Sequence, residues 1–163
     1  MADGGASTII MLVTALLISS AASAVLVQEW SSASRAIELQ QKGLQLSAEI
    51  GIDFAGDPAM VALSGTDQIT FYIQNTGIHT MDDTTLGVMV DGISLNSALI
   101  STTYVPVGSG AWDPSVLLEV RLKNTNWNFA TNDEITIFAT ARSVDISSLS
   151  ASASMNEEVK LHV

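Results

Sequence analysis

Residues 8–27, TIIMLVTALLISSAASAVLV, are twenty in a row without a charged side chain. Coiled as an α-helix, the run rises about 1.5 Å per residue and spans about 30 Å, the thickness of a bilayer's hydrocarbon core. Three fates suit such a segment: a secretory signal that is cut off, a membrane anchor that stays, or a rod on which subunits pack. The flanking residues separate them.

The small-residue stretch Ala21–Ala24 looks like a signal cleavage site. The leader MADGGAS, however, has no lysine or arginine, whereas the start of a secretory signal is basic. The apolar run is also longer than the core of a typical signal. The basic residue and glycine that precede the apolar run at a type IV pilin processing site are missing too. A retained transmembrane helix, residues 1–27 with their short flank, is therefore expected. Ala15, Ser19 and Ser23 recur every fourth residue, which places small side chains on one stripe where a second helix can approach closely. No Asp, Glu, Lys, Arg or His lies between Thr8 and Val27, so this segment offers no ionisable group to carry protons or sodium.

Residues 28–47 continue the helical pattern. Trp30, Ala33, Ile37 and Leu44 step by three, four and seven, an apolar stripe on a stem that is otherwise polar. Glu38 and Lys42 stand in the favourable i, i+4 order. Trp30 sits where an interfacial aromatic belongs. The spacing predicts a rod of about forty residues, about 60 Å long, that ends between Gly43 and Ser47. Exposed Trp30, Ile37 and Leu44 need a cover, and a second copy is the simplest.

From residue 48 to 163 the period changes to two. IGIDF, ITFYI, LGVMV, VLLEVRL, EITIFATAR and EVKLHV each alternate apolar and polar positions. Turn residues separate them, of which Asp91-Gly92 between VMV and ISL is the sharpest hairpin signal. Seven to nine short strands at this spacing predict a mainly β fold, an immunoglobulin-like β-sandwich behind a long N-terminal α-helix. SSLSASAS at 147–154 is expected to be a loop.

Composition removes several function classes. With no cysteine there is no disulfide framework, thiolate metal site or cysteine nucleophile. Of the seventeen acidic side chains only Asp3 precedes Gln28, which leaves sixteen against six basic in the remainder. A surface so negative repels phosphate backbones, and no nucleic-acid partner is expected. His79 is expected in a surface turn and His162 outward on a terminal strand, outside any metal spacing. Asp82-Asp83, with Asp91 not far along the chain, lack the spacing of a calcium loop and are read as solvated surface. No nucleophile elbow or phosphate loop occurs. Catalytic, cofactor and metal residues are all expected to be none, and the chain is not expected to be an enzyme. Trp112 and Trp127 are read as plugs of core or loop. Arg35 and Lys42, the nearest basic residues, lie C-terminal to the apolar run, which by the positive-inside rule would put the C-terminal domain in the cytoplasm. Glu29, Glu38 and Glu49 interleave with them, and the amino group of Met1 is positive on the other flank, so charge alone leaves the side undecided.

GASTIIMLVTALLISSAASAVLVQEW, the amphipathic continuation, DQITFYIQNTGIHTM and LGVMVDG together resemble the archaeal flagellar protein G (FlaG) family of the archaellum, with the protein F family as a near rival. The resemblance runs from the anchor to about residue 125. It implies a single-pass protein of the archaeal cell membrane whose C-terminal domain is extracytoplasmic, beneath the surface layer. It also implies protein partners, archaellum protein F and a surface-layer protein, and the role of a stator or scaffold. The alternative is a pilin-like subunit that polymerises into an extracellular filament through its N-terminal helix, with a homo-oligomer or filament as product. Under either reading the expected helix–helix interface is Ala15, Ser19, Ser23, Trp30, Ile37 and Leu44.

Overall fold

A computed structural model describes residues 3–163. Helix α1 runs Asp3–Glu49 and is followed by nine strands. Residues up to Lys42 form one compact unit and residues from Gly43 onward a second. Met1, whose amino group enters the charge argument, lies outside the described residues.

In the first unit α1 is exposed along its length, with Ile9, Leu17, Leu26 and Trp30 each more than half accessible. Its hydroxyl side chains turn back on the helix. Thr14 Oγ1 donates to the carbonyl of Ile10 at 2.8 Å, Ser20 Oγ to Leu17 at 2.9 Å and Ser23 Oγ to Ser19 at 2.9 Å. Polar groups bonded in this way need no water, which suits a helix surrounded by lipid or by other helices. Further along, the expected Glu38–Lys42 pair forms at 2.8 Å.

The helix ends later than its sequence predicts, at Glu49 rather than between Gly43 and Ser47. The cause is tertiary. Leu46 is buried in the second unit's core, and the backbone N–H of Ile78 donates to the Glu49 carbonyl at 2.9 Å. A terminal carbonyl satisfied from outside extends the helix past the weak point at Gly43.

The second unit is a β-sandwich. One sheet places β1 (Ile52–Ala55) and β2 (Val61–Ser64) along β3 (Gln68–Asn75), followed by β7 (Leu117–Lys123) and β6 (Ile100–Val105). The other runs β5 (Ile93–Ser94), β4 (Met81–Val90), β8 (Glu134–Ser143), β9 (Ser152–His162). A short parallel pairing, Val61 with Leu161 and Ala62 with His162, joins them into one curled sheet. The alternating positions read from the sequence line the core: Ile69, Phe71 and Ile73 of one sheet and Ile137, Val159 and Leu161 of the other belong to one buried cluster, all essentially inaccessible. Burying such side chains contributes about 1.5–3 kcal/mol each, so the core needs no disulfide.

Asp91-Gly92 forms the two-residue hairpin between β4 and β5, with φ of 50° and 78°. Both are positive, as a type I′ turn demands. The 147–154 stretch is a loop only in part: Ser147 and Ser148 take positive φ in a tight turn, but β9 begins at Ser152. Ala153 and Met155 are buried opposite β8, and that burial makes a strand of a segment whose composition is merely small and polar.

Candidate assembly surfaces

Two features of the chain can serve an interaction: the exposed surface of α1, and the place where the helix end is built into the sandwich. On α1, Ser23, Trp30, Ile37 and Leu44 succeed one another at intervals of seven, and Leu16 extends the series one step earlier. Ser19, Leu26, Ala33 and Gln40 form a second series, also at intervals of seven, each four residues before a member of the first. The two series are the a and d positions of a heptad repeat, the pattern by which helices pack side by side. The small stripe of the apolar run and the stem stripe are thus one seam. Ala15 lies beside it at the g position, one residue off the a series. Trp30, Ile37 and Leu44 are 79%, 56% and 66% accessible. α1 is also long and apolar enough to cross a membrane, by length and composition.

The helix end is fixed by a set of contacts to the turn Asn75–Thr80. Glu49 Oε2 lies 2.7 Å from His79 Nε2, and Gln45 Nε2 donates to Glu49 Oε1 at 2.8 Å. These bonds hold the Glu49 carboxyl below the usual carboxylate range, the His79 hydrogen bond most, Gln45 next; partial desolvation opposes them and the charge of His79 adds a smaller share. The N–H groups of Thr76 and Gly77 both donate to the Gly51 carbonyl, at 3.0 and 3.2 Å. Gly77 permits this approach: a Cβ there would lie 2.7 Å from the Glu49 carbonyl oxygen and 2.8 Å from the Ile50 Cα.

Beneath the turn Asn75 is wholly buried and fully bonded. Its Nδ2 donates to the carbonyls of His79 and Trp112 at 2.8 and 2.9 Å, and its Oδ1 accepts from Gly77 N–H at 3.0 Å. Trp112, also inaccessible, donates from Nε1 to the Val116 carbonyl at 3.1 Å. One amide side chain therefore ties the turn to the β6–β7 connection. A buried polar group of this kind is tolerated only when every bond is made. Trp127 packs on Phe129 with ring centroids 5.2 Å apart, in the loop before β8.

The histidines differ in role. His162 is exposed, as its alternation predicts. His79 was expected in a surface turn and is in one, but half-buried against Glu49. Nothing in the sequence around either residue signals that pairing, because they are thirty residues apart. Asp82 and Asp91 stand at opposite ends of β4. Asp82 accepts from Thr84, and Asp91 accepts from the Thr136 N–H. Among the described residues no cluster of three His, Asp or Glu side chains is arranged to hold a metal ion.

Comparison with known proteins places these features in context. The model of the archaeal-type flagellin family matches residues 2–147. A flagella-related protein G of Methanococcus voltae is 37% identical over 109 residues, which span 64% of this chain and 69% of that protein. Among solved structures, a titin M4 domain is 15% identical with a TM-score of 0.33, covering 71% of this chain and 97% of the domain. The macrocyclization enzyme AvmM of alchivemycin A biosynthesis is 13% identical with a TM-score of 0.32, covering 71% of this chain and 89% of its own. Likenesses of that size carry no argument about fold or function.

Proposed function

The chain belongs to the archaeal-type flagellin family, and from that premise we propose that it is a membrane-held scaffold of the archaellum that works by holding on to other proteins. It is a structural component of the archaellum; the finer role is our reading. The observation that carries it is the heptad seam on α1, which runs unbroken from the charge-free segment into the polar stem. Thr8–Val27 sit in the bilayer, residues 28–47 form the stem, and residues 48–163 form the extracytoplasmic domain. That side agrees with the family, and a long translocated domain is largely indifferent to the flanking charges. Leaving out β2, which bridges the two sheets, the strand order β1-β3-β7-β6 against β5-β4-β8-β9 corresponds to the A-B-E-D and C-F-G sheets of immunoglobulin domains with β5 added at an edge, and supports reading the sandwich as that type.

Within the archaellum, likeness to the flagella-related protein G supports a stator or scaffold that links the membrane to protein F and the surface layer. The uncharged apolar segment agrees with it, since a part that only resists torque needs no ion path. A filament subunit is the second reading, favoured by the flagellin family model that covers residues 2–147. In both, Ala15, Ser19, Ser23, Trp30, Ile37 and Leu44 form the helix–helix interface, and the chain catalyses nothing. Immunogold labelling of cells distinguishes them. Label at the envelope, with protein F and surface-layer protein recovered after crosslinking, supports the scaffold. Label along the whole filament replaces it with the subunit, and a chain found free in the medium rejects both.

A further inference from the structure

Among the described residues three strands, β5, β1 and β6, pair along one side only, and they are not protected alike. The stretches of β4 and β9 beyond their short partners carry Asp82, Asp83, Glu157 and Glu158. Strand β5, one end of the sheet path, is only two residues long. Strand β1 is four residues long and carries the charge of Asp53. Strand β6, the other end of the path, is six residues long and reads Ile-Ser-Thr-Thr-Tyr-Val. It has no charge, no internal proline and no bulge in its pairing with β7. Every position but Ser101 is a β-branched or aromatic strand former. Natural edges are ordinarily blunted by shortness, charge or a bulge, because a bare ladder of N–H and C=O groups invites another strand. Of these three edges, β6 alone lacks such protection.

Beside this edge lies a groove of about 220 Å³, lined by Asp83, Thr84, Leu86, Ser97, Ile100 and Thr102. Thr102 pairs with core-facing Val120 and so points inward, towards the groove. Its Oγ1 donates to Asp83 Oδ2 at 3.2 Å. Tyr104, next on the same face, has its phenol pushed up to about 12, by burial first, then by its hydrogen bond to Asp83 and the charges of Asp83, Asp82 and Asp113. The groove is thus acidic, with a carboxylate able to accept further hydrogen bonds.

We propose that β6 is a strand-addition site: an extended segment of another protein pairs with residues 101–105, beyond Ile100 whose N–H donates to the Ser97 carbonyl, and directs a lysine or arginine into the groove against Asp83. Backbone bonds to the bare edge supply affinity, and the inward side chain supplies selectivity. Charge selects the occupant. A second copy would bring its own Asp82, Asp83 and Asp113 to the same edge, and its domain carries the same excess of acid. A neutral strand with one basic residue meets no such repulsion. The inference is independent of how α1 assembles.

The test uses the full chain in detergent micelles and three labelled peptides, followed by fluorescence anisotropy. The first is a short Val/Thr peptide with one central lysine, the second has glutamate in place of lysine, and the third is the lysine peptide with alternate backbone nitrogens methylated. The lysine peptide binds, and more weakly as salt rises. The glutamate peptide binds roughly tenfold or more weaker, in keeping with a lost charge pair. Methylation abolishes binding, because it removes ladder donors and leaves the charge. Asp83→Asn lowers affinity for the lysine peptide and leaves the melting of the sandwich in place. Equal binding of the first two peptides, indifference to methylation, or no binding at all overturns the proposal. So does a disulfide-linked dimer through Thr103→Cys, which would make a second copy the occupant.

Discussion

Glu49 closes α1 by meeting His79 at 2.7 Å across thirty residues of chain. The helix end is therefore anchored by side chains from the β3–β4 turn and by Leu46 in the core, and its length is a property of the second unit. Because the Glu49 carboxyl is held below its ordinary value, the contribution has a definite sign with pH. A carboxyl whose folded pKa is depressed adds stability above its unfolded value, near 4.3 for glutamate, and loses it as pH falls through the folded one. Amide exchange at Gln45–Ile50, corrected for the intrinsic rate, is expected to keep its protection at neutral pH and lose it below about pH 4. Glu49→Gln should flatten that dependence. An unchanged profile in the variant would mean that other carboxyls control the helix end.

Asn75 makes three bonds that no apolar residue can make. Asn75→Leu removes the side-chain partner of the His79 carbonyl, while the Trp112 carbonyl keeps the Met81 N–H and the Gly77 N–H keeps the Gly51 carbonyl. At about 1–3 kcal/mol for the one group left unsatisfied, urea unfolding of the variant should show a loss of that size. Asn75→Asp keeps the acceptor for Gly77 but loses the two bonds from Nδ2 and buries a carboxylate against two carbonyls, so its loss should be at least as large. A loss confined to a few tenths of a kcal/mol would show that water replaces the amide.

Gly77→Ala forces a methyl to 2.7 Å from the Glu49 carbonyl oxygen. The obstacle is backbone, which cannot swing aside as a flexible side chain can. A cost of about 1–3 kcal/mol is expected, typical of overpacking, read as a lowered melting midpoint. The helix end at Leu46–Ile50 should lose exchange protection first, since that is the segment displaced.

The seam makes a prediction that leaves the sandwich untouched. Ser19→Glu and Ile37→Glu each place a charge among packed helices, where it would be desolvated and unpaired. Both should abolish assembly in membranes. Their β-sandwich should melt as the parent does, because neither residue belongs to its core. A fall in melting temperature would instead assign these residues to the stability of the second unit.

Much of this fold is legible in the sequence, because its strands bury one face and so alternate strictly. VLLEVRL places Leu118, Val120 and Leu122 in the core and exposes Arg121, and Asp91-Gly92 gives the hairpin its turn. Misreadings arise where tertiary packing overrides a local tendency. Gly43 suggests a helix end, but Leu46 and the Ile78 N–H extend it. Ser152–Ser154 look like a loop by composition, but pairing with β8 makes them strand. Nothing in the local pattern of Asn75-Thr76-Gly77 signals that its asparagine is wholly buried. Ala15, Ser19 and Ser23 step by four and Trp30, Ile37 and Leu44 by seven; Ser23 continues the second series and Ser19 falls in the companion series, with Ala15 at the margin. The Glu49–His79 pair had no signal, since a contact across thirty residues leaves no periodic trace.

The central claim, that copies pack along the heptad seam of α1, is tested most directly by disulfide crosslinking in native membranes. The chain has no cysteine, so each introduced thiol reports alone. Trp30→Cys, Ile37→Cys and Leu44→Cys should give linked dimers under mild oxidation. Arg35→Cys and Leu39→Cys, which lie off the seam on the same helix, should remain monomeric. Crosslinking that is equal at all five positions, or confined to Arg35 and Leu39, would contradict the account.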